Sequence, residues 1–321
     1  MALAPMSGIT DVALRSIAMT FGASYVVSEM VACDEFVRGH EETRLRAEGR
    51  GVLPHVVQLA GCEPAWLADA ARLAEQSGAD VIDINMGCPA KRVTGGWAGS
   101  ALMRDPGHAV ALVDATVRAT SLPVTVKMRL GWDETSLNAP ELARRVVGAG
   151  ARVITVHGRT RQQFYKGKAD WSAIAAVRAA IPGVPLVANG DIATLSDARA
   201  CLEASGADGI MVGRAALGRP WLPGLLAKGL REGLMPPEPD LDTKLAAITG
   251  HYQGLLLAMG DAAGLRHARK HLAAALDDAS LHGADRARDL KQAVCTSCDV
   301  REVMSLLKEA FACHLPASAS A

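Results

Sequence analysis

A short pattern in which Gly-Ala leads into an apolar run recurs four times, and it constrains the fold more than any other feature. Each glycine follows an Ala-rich amphipathic stretch, so each is expected to end a helix with a positive φ. The run after it is rich in β-branched residues and predicts a strand buried on both faces. The four copies begin at Gly22, Gly78, Gly150 and Gly206.

Three further apolar runs open with Pro54, Pro123 and Pro185. Proline suits the first residue of a strand because no ladder donor is needed there. With Leu3-Ala4-Pro5 at the start, the chain has eight strand candidates, near residues 4, 27, 57, 83, 126, 155, 187 and 211. Each interval holds one strand, one helix and two loops. The sequence therefore predicts an α/β protein with a (β/α)8 TIM barrel, and a doubly wound open sheet is the alternative.

The strand signals stop after Trp221, and Pro236-Pro237-Glu238-Pro239 makes a stiff break before a stretch that is helical by composition. We expect the barrel over residues 1–235 and a small C-terminal all-helical domain over 240–312. The tail 313–321 is expected to be frayed.

Charge excludes one class of protein. Lys plus Arg and Asp plus Glu both number 34, so the chain is not a strongly basic nucleic-acid-binding protein, although a local basic surface stays open. Hydrophobic residues make up 50% of the 321 residues, which is enough to bury a sizeable core.

The cysteines and the N-terminus indicate a cytoplasmic protein. Seven irregularly spaced cysteines do not form a disulfide framework. The first residues lack the regions of a signal peptide, and no stretch approaches the ~18 uninterrupted apolar residues of a membrane span. We expect no membrane partner and a monomer.

Polar side chains follow the apolar runs at seven of the eight predicted strand ends. In such barrels the C-terminal ends of the strands carry the active site. At any single strand, a polar residue where the chain reaches water is the simpler explanation; convergence on one rim favours a site. These residues are Glu29, Gln58, Asn85, Lys127 with Arg129, His157, Asn189 with Asp191, and Arg214.

The last two strands are followed by Asn189-Gly190-Asp191-Ile192 and Gly213-Arg214. Barrels often hold a phosphate at this place, where glycine lets the backbone approach and an arginine pairs bidentately. Ordinary turn chemistry is the alternative. Lys127, near the barrel centre, predicts an anion or an electron-rich ring as its partner, because a buried unpaired ammonium is costly. A neighbouring carboxylate is the other candidate.

Cys88 lies in a Gly/Pro turn beyond the fourth strand, over the barrel mouth. With an ordinary pKa of about 8.5 it would serve as a general acid, unless a nearby cation makes it a thiolate nucleophile. Cys33, Cys62, Cys201 and Cys313 are expected to be small buried hydrophobes. Cys295 and Cys298 have metal-like spacing, but no second pair lies at a suitable distance, so no metal site is expected.

These residues together resemble the tRNA-dihydrouridine synthases, which are FMN-dependent barrel enzymes, and most of all their bacterial B-type branch. Asn85-Met86-Gly87-Cys88-Pro89 is the most specific matching piece. Arg266 to His271 is similar to the basic helix of this family's C-terminal domain. The other matching pieces are residues 4–11, 58–61, 126–132, 155–161, 188–192 and 211–214.

The resemblance implies a function and a set of site residues. The reaction is reduction of the C5=C6 bond of a tRNA uridine in the D-loop: NADPH or NADH reduces FMN, hydride passes to C6, and Cys88 gives a proton to C5. Family members carry more residues before Ala4 than the three here; either the start was assigned late or the barrel floor is thinner. The residues implied to line FMN are Ala4, Pro5, Met6, Gln58, Lys127, His157, Asn189, Gly190, Asp191, Gly213 and Arg214.

A uridine in folded tRNA has to leave its stack to reach a barrel mouth, and phosphate contacts supply most of the affinity. The cations expected to make them are Arg159, Arg161, Lys166, Lys168, Lys91, Arg92, Arg266, Arg269 and Lys270. Two alternatives stay open: a small-molecule FMN oxidoreductase of the dihydroorotate dehydrogenase or old-yellow-enzyme kind, and an RNA-binding barrel without catalysis. The sequence leaves open which uridine is reduced.

Overall fold

Eight parallel strands close into a barrel in chain order, with β1 paired to both β2 and β8. The computed structural model describes residues 1–278 and 285–312. The predicted (β/α)8 barrel is therefore confirmed, and the open sheet is excluded because the edge strands pair. The strands are β1 (Ala2–Leu3), β2 (Tyr25–Ala32), β3 (His55–Ala60), β4 (Val81–Met86), β5 (Val124–Arg129), β6 (Val153–His157), β7 (Leu186–Asn189) and β8 (Gly209–Val212).

Helices cover the outside of the barrel and continue after it. The helices up to the Pro-rich break are α1 (Val12–Thr20), α2 (Cys33–Val37), α3 (Glu41–Ala47), α4 (Pro64–Gln76), α5 (Lys91–Thr94), α6 (Pro106–Ala119), α7 (Ala139–Gly148), α8 (Ser172–Ala180), α9 (Leu195–Ser205) and α10 (Leu222–Glu232). The later ones are α11 (Leu241–Met259), α12 (Asp261–Asp278), α13 (Asp285–Thr296) and α14 (Val300–Ala312). The predicted tail 313–321, with Cys313, lies outside the described residues.

The repeated glycines do what their spacing predicts. Gly22, Gly78, Gly150 and Gly206 have φ values of 93°, 89°, 107° and 62°, in the left-handed region that favours glycine. Each reverses the chain after a helix and directs it into the next strand. The three prolines directly precede β3, β5 and β7, as expected for residues that donate no ladder hydrogen bond.

The core has two layers, as the apolar runs predict. Between strands and helices, side chains such as Leu59, Ile82 and Val126 are fully buried. Inside the barrel, small residues including Ala2 and Ala4 pack with Val56 and Met211. This packing fills the barrel interior beneath the cavity, although β1 has only two residues.

The C-terminal helices form a second apolar core that contacts the barrel through α1 and the segment before α10. Trp221 is 1% exposed in that core, and its ring meets Phe21 edge to face, with centroids 6.0 Å apart. The division into a barrel over 1–235 and a helical domain over 240–312 remains a proposal. No helix of residues 1–278 and 285–312 is both long enough and apolar enough to cross a bilayer.

A buried polar cluster also joins the two parts. Asp11 caps α1 by accepting a hydrogen bond from the Leu14 N–H at 3.0 Å, and its other oxygen lies 2.9 Å from Nε2 of His251 on α11. His271 on α12 packs edge to face against His251, with ring centroids 4.6 Å apart. Burial raises the pKa of Asp11, but the charge and hydrogen bond of His251 outweigh burial, and the net effect lowers the pKa to about 2. Burial and the neighbouring His251 lower the pKa of His271 to about 3.

This cluster should make the fold sensitive to acid. Unfolded histidine binds a proton near pH 6.5, whereas folded His271 resists protonation until about pH 3, so stability falls as pH drops through that window. Asp11 adds a further loss as pH falls from about 3.9, its unfolded value, towards 2. For His271 alone we expect up to about 1.4 kcal/mol per pH unit.

Urea unfolding at about pH 7 and about pH 5 measures this loss. His271→Gln should have a flatter pH dependence than the wild type. His40→Gln is the matched control, because His40 is exposed and should leave the slope unchanged. Equal slopes in His271→Gln and the wild type would contradict the assignment.

Candidate active site

A cavity of about 750 Å³ opens at the C-terminal ends of the strands. The structure brings every predicted site residue to its lining, from the first loop to the last strand; their individual roles remain predictions. They are Ala4, Pro5, Met6, Gln58, Cys88, Lys127, His157, Asn189, Gly190, Asp191, Gly213 and Arg214.

The first loop, between β1 and α1, is fixed by hydrogen bonds near both of its ends. The Ala4 N–H donates to the Val212 carbonyl at 2.8 Å, and the Met6 N–H donates to Thr10 Oγ1 at 2.9 Å. Glu29, which was predicted to end the second strand, lies inside β2 because that strand continues to Ala32. It is buried and accepts a hydrogen bond from the Gly8 N–H. Its carboxylate therefore positions the first loop.

A ladder of buried hydrogen bonds crosses β3, β4 and β5 beneath the cavity. Gln58 donates through Nε2 to Asp83 at 2.6 Å and accepts from Asn85 Nδ2 at 2.7 Å. Thr125 donates to the other Asp83 oxygen at 2.6 Å. Burial raises the pKa of Asp83, and the hydrogen bonds from Gln58 and Thr125 oppose that shift. The ladder fixes the Gln58 amide and turns the Asn85 oxygen toward the next loop.

That oxygen orders the turn that carries Cys88. Asn85 Oδ1 accepts hydrogen bonds from the N–H groups of Gly87 at 3.1 Å and Cys88 at 2.9 Å. The Cys88 carbonyl accepts from the Ser100 hydroxyl at 2.9 Å, and Arg129 Nε donates to the Gly87 carbonyl at 2.7 Å. The main chain on both sides of Cys88 is therefore fixed, and its partly exposed side chain lines the cavity.

Lys127 brings a positive charge to the centre of the site. Its Nζ donates to Asn189 Oδ1 at 3.1 Å, so a neutral amide accepts this hydrogen bond. The Asn189 amide is itself oriented by donation to the Met211 carbonyl at 2.8 Å. Burial, with the nearby Arg129 charge, lowers the pKa of Lys127 to about 8. At neutral pH the side chain is mostly protonated and can serve an anion or an electron-rich ring.

His157 is neutral at the same end of the cavity. Burial and then the charges of Lys127 and the surrounding arginines lower its pKa well below the usual value. Arg159 Nη1 lies 3.3 Å from His157 Nε2. Because a guanidinium only donates, Nε2 is the acceptor, and the ring proton belongs on Nδ1.

Arg159 is the clearest error among the predicted RNA contacts. Its side chain is 2% exposed and bonds Asp191 at 2.6 Å and the Gly167 carbonyl at 2.7 Å. Arg159 therefore fixes the loop after β6 from inside. Asp191 also accepts from the Ala169 N–H at 2.8 Å and lies 3.5 Å from Arg214. Lys91, Arg92, Lys166, Lys168, Arg266 and Lys270 are exposed, while Arg161 and Arg269 are partly buried.

The cysteine predictions are borne out in part. Cys33 and Cys201 are buried as expected, but Cys62 is partly exposed. Cys298 is exposed in the segment between α13 and α14.

Two aromatic residues of the site were missed. Phe164 and Tyr165 line the cavity and meet edge to face, with ring centroids 5.0 Å apart. The Tyr165 ring lies 4.9 Å from the Arg214 guanidinium and 5.7 Å from that of Arg129. The available signal was a Phe-Tyr pair inside a basic loop of a chain with only 4% aromatic residues.

The charged lining of the cavity is strongly positive. Among the described residues that line it, Asp191 is the only carboxylate, and it already pairs with Arg159. The arrangement suits a bound anion such as a phosphate. The lining cations are Arg92, Lys127, Arg129, Arg159 and Arg214.

Comparison with known proteins decides the family. A family model described as "Dihydrouridine synthase (Dus)" matches residues 2–313. The chain belongs to the dihydrouridine synthase family. The resemblance predicted from the motifs is thereby confirmed.

Curated relatives are similar in sequence to this dihydrouridine synthase over most of its length. It is 50% identical over 311 residues to a "Probable tRNA-dihydrouridine synthase" of Rhizobium leguminosarum bv. phaseoli, covering 96% of this chain and 94% of the relative. It is 44% identical over 271 residues to "tRNA-dihydrouridine synthase B" of Xanthomonas campestris pv. campestris, covering 84% and 81%.

Solved structures support the barrel fold of this dihydrouridine synthase. Histamine dehydrogenase from Rhizobium sp. 4-9 matches with a TM-score of 0.53 at 14% identity, over 79% of this chain and 48% of that one. A 2-naphthoyl-CoA reductase complex matches with a TM-score of 0.54 at 12% identity, over 73% and 50%.

Proposed function

We propose that this dihydrouridine synthase reduces the C5=C6 bond of D-loop uridines in tRNA to 5,6-dihydrouridine, with FMN as cofactor and NADPH as reductant. The observation that carries the proposal is the meeting of Cys88 and Lys127 in one cation-lined cavity of a chain from this family. Family membership also favours this reaction over the small-molecule FMN oxidoreductase alternative. We propose that the enzyme works as a cytoplasmic monomer.

The residues present fit a flavin phosphate and ring. Arg214 is exposed to the cavity and held by Asp191 at 3.5 Å, so its guanidinium can pair with a phosphate. Gly190 has φ of 120°, and a Cβ there would lie 2.7 Å from that of Ala169, so only glycine allows this turn. Gly213 and the Ala4–Met6 loop complete the proposed cradle, with Gln58, Asn189 and neutral His157 as its polar groups.

Asp191 has a different proposed role from the other cradle residues. Both of its oxygens face cations or an N–H group of the protein. It therefore orients Arg159 and Arg214. In this proposal the Arg214 guanidinium binds the phosphate, and the Asp191 carboxylate does not.

In the proposed reaction, FMN held in this cradle would supply the hydride for C6 after reduction by NADPH. Cys88 donates the Sγ proton to C5, so that one hydride and one proton saturate the bond and leave a thiolate that solvent reprotonates. Arg129, by fixing the Gly87 carbonyl, keeps the thiol over the cavity. Lys127 stabilises negative charge on the flavin ring or on a pyrimidine carbonyl, because an ammonium in a buried site interacts strongly with charge that develops nearby.

The purified protein should carry a yellow flavin and should form dihydrouridine in unmodified tRNA when NADPH is supplied. Mass spectrometry of the digested tRNA measures the product. A colourless protein after attempted FMN reconstitution would overturn the proposal. Turnover of a free pyrimidine or an enone, with no reaction on tRNA, would instead support the small-molecule alternative.

A further inference from the structure

Two tryptophans and two arginines alternate beside the cavity, and we call them the Trp–Arg stack. The Arg104 guanidinium lies 5.3 Å from the Trp97 ring and 4.9 Å from the Trp132 ring. The Arg161 guanidinium lies 4.7 Å from the Trp132 ring. The stack therefore runs from Trp97 through Arg104 and Trp132 to Arg161, with each cation close enough to an aromatic ring for a cation–π interaction.

Main-chain contacts place the stack at the rim that carries Cys88. The main-chain N–H of Trp97 donates to the Thr94 carbonyl at 3.2 Å. Thr94 directly follows Val93, which lines the cavity. Ser100, three residues later, bonds the Cys88 carbonyl. The Gln162 N–H donates to the Trp132 carbonyl at 2.9 Å, which ties the loop after β5 to the loop that carries Phe164 and Tyr165.

Trp97 is unusual in both its backbone and its exposure. Its φ is 58°, a left-handed conformation that is unfavourable for a bulky residue, and it follows Gly95 and Gly96, which would adopt it freely. The residue is nevertheless 58% exposed. Neither backbone preference nor core packing therefore accounts for a tryptophan here, and strained residues concentrate at ligand-binding sites.

We propose that the Trp–Arg stack binds an unpaired base of the RNA next to the uridine that enters the cavity, with Trp97 as the stacking surface. This inference rests on the proposed function, because it takes tRNA as the substrate. Exposed aromatic rings bind single-stranded bases through their π faces, with little dependence on sequence. Arg104 fixes the indole from one side and adds positive charge for the backbone of the same nucleotide.

The experiment compares tRNA binding by variants of the FMN-loaded protein. Trp97→Gly should weaken tRNA binding about 5- to 150-fold, the usual effect of removing one stacked base contact. Its melting temperature should stay the same or rise, because glycine relieves the backbone strain. Trp97→Tyr keeps a ring and should stay close to the wild type. Trp97→Asn is a second small variant that tolerates this conformation.

An exposed arginine at the opposite end of the barrel supplies the control. Arg118 lies in the last turn of α6, which leads to the start of β5, so it lies at the end of the barrel away from the cavity. Arg104→Ala should weaken tRNA binding about 2- to 5-fold. Arg118→Ala should leave it unchanged.

The outcomes separate this inference from the proposed function. If the wild type binds tRNA but forms no dihydrouridine, the proposed reaction is wrong. The comparison of tRNA binding by the Trp97 variants then still tests whether the Trp–Arg stack binds RNA. If the wild type forms dihydrouridine and both Trp97→Gly and Trp97→Asn bind tRNA as tightly as it does, the stack proposal is overturned. Weaker binding by these variants, with Trp97→Tyr near the wild type, supports it.

Discussion

Replacing Cys88 by alanine should lower the rate of dihydrouridine formation about 10²- to 10⁴-fold, the usual contribution of a positioned general acid. The reason lies in the geometry of the turn. Asn85, Ser100 and Arg129 fix the main chain around Cys88, so the thiol is held at the cavity, and alanine has no proton to donate from that position. The measurement is single-turnover product formation in tRNA with pre-reduced flavin.

Cys62→Ala is the control for the loss of a thiol. Cys62 is also partly exposed and follows a neighbouring strand, β3, but it does not line the main cavity. Flavin absorbance of each purified variant separates a loss of catalysis from a loss of cofactor. If Cys88→Ala kept the wild-type rate with a full complement of flavin, another group would have to supply the proton.

Replacing Asp11 by alanine should destabilise the fold by about 2–4 kcal/mol, which combines the cost of a buried polar group left without its hydrogen-bond partner with the loss of a helix cap. The change would leave His251 buried without its carboxylate partner and would also remove the cap of α1. Thermal or urea unfolding measures the loss.

Asp105→Ala separates the two contributions of Asp11. Asp105 caps α6 by accepting from the His108 N–H at 3.0 Å, the same distance as in the Asp11 cap, but it is exposed. Its replacement should cost about 1 kcal/mol, the typical contribution of a helix cap. Equal losses in the two variants would mean that the histidine contact contributes nothing to stability.

The barrel and the cavity lining could be predicted because each depends on local rules. A glycine that ends a helix and a proline that opens a strand leave their mark in the sequence, and parallel strands bring their C-terminal ends to one rim. Gln58, Lys127 and Asn189 therefore meet as expected. Its glycine and proline likewise predict the Cys88 turn, and the family motif implies the catalytic role of the thiol.

The errors concern residues whose environment depends on distant parts of the chain. Arg159 looked like a surface cation because its partner Asp191 is 32 residues away, and the sequence does not show that the loop folds back to place the Gly167 carbonyl against the guanidinium. Asp11 belongs to a matching motif, yet its partner His251 is 240 residues away on a C-terminal helix. Phe164 and Tyr165 gave too short a signal to be placed in the cavity.

Arg129 shapes how this enzyme could diverge in evolution. Besides the Gly87 carbonyl, its guanidinium bonds the carbonyls of Thr160 and Phe164, each at 2.9 Å. All three acceptors belong to the main chain, so they place little demand on which side chains stand at those positions. Side chains in the loop after β6 can therefore be substituted while the turn that carries Cys88 keeps its anchor.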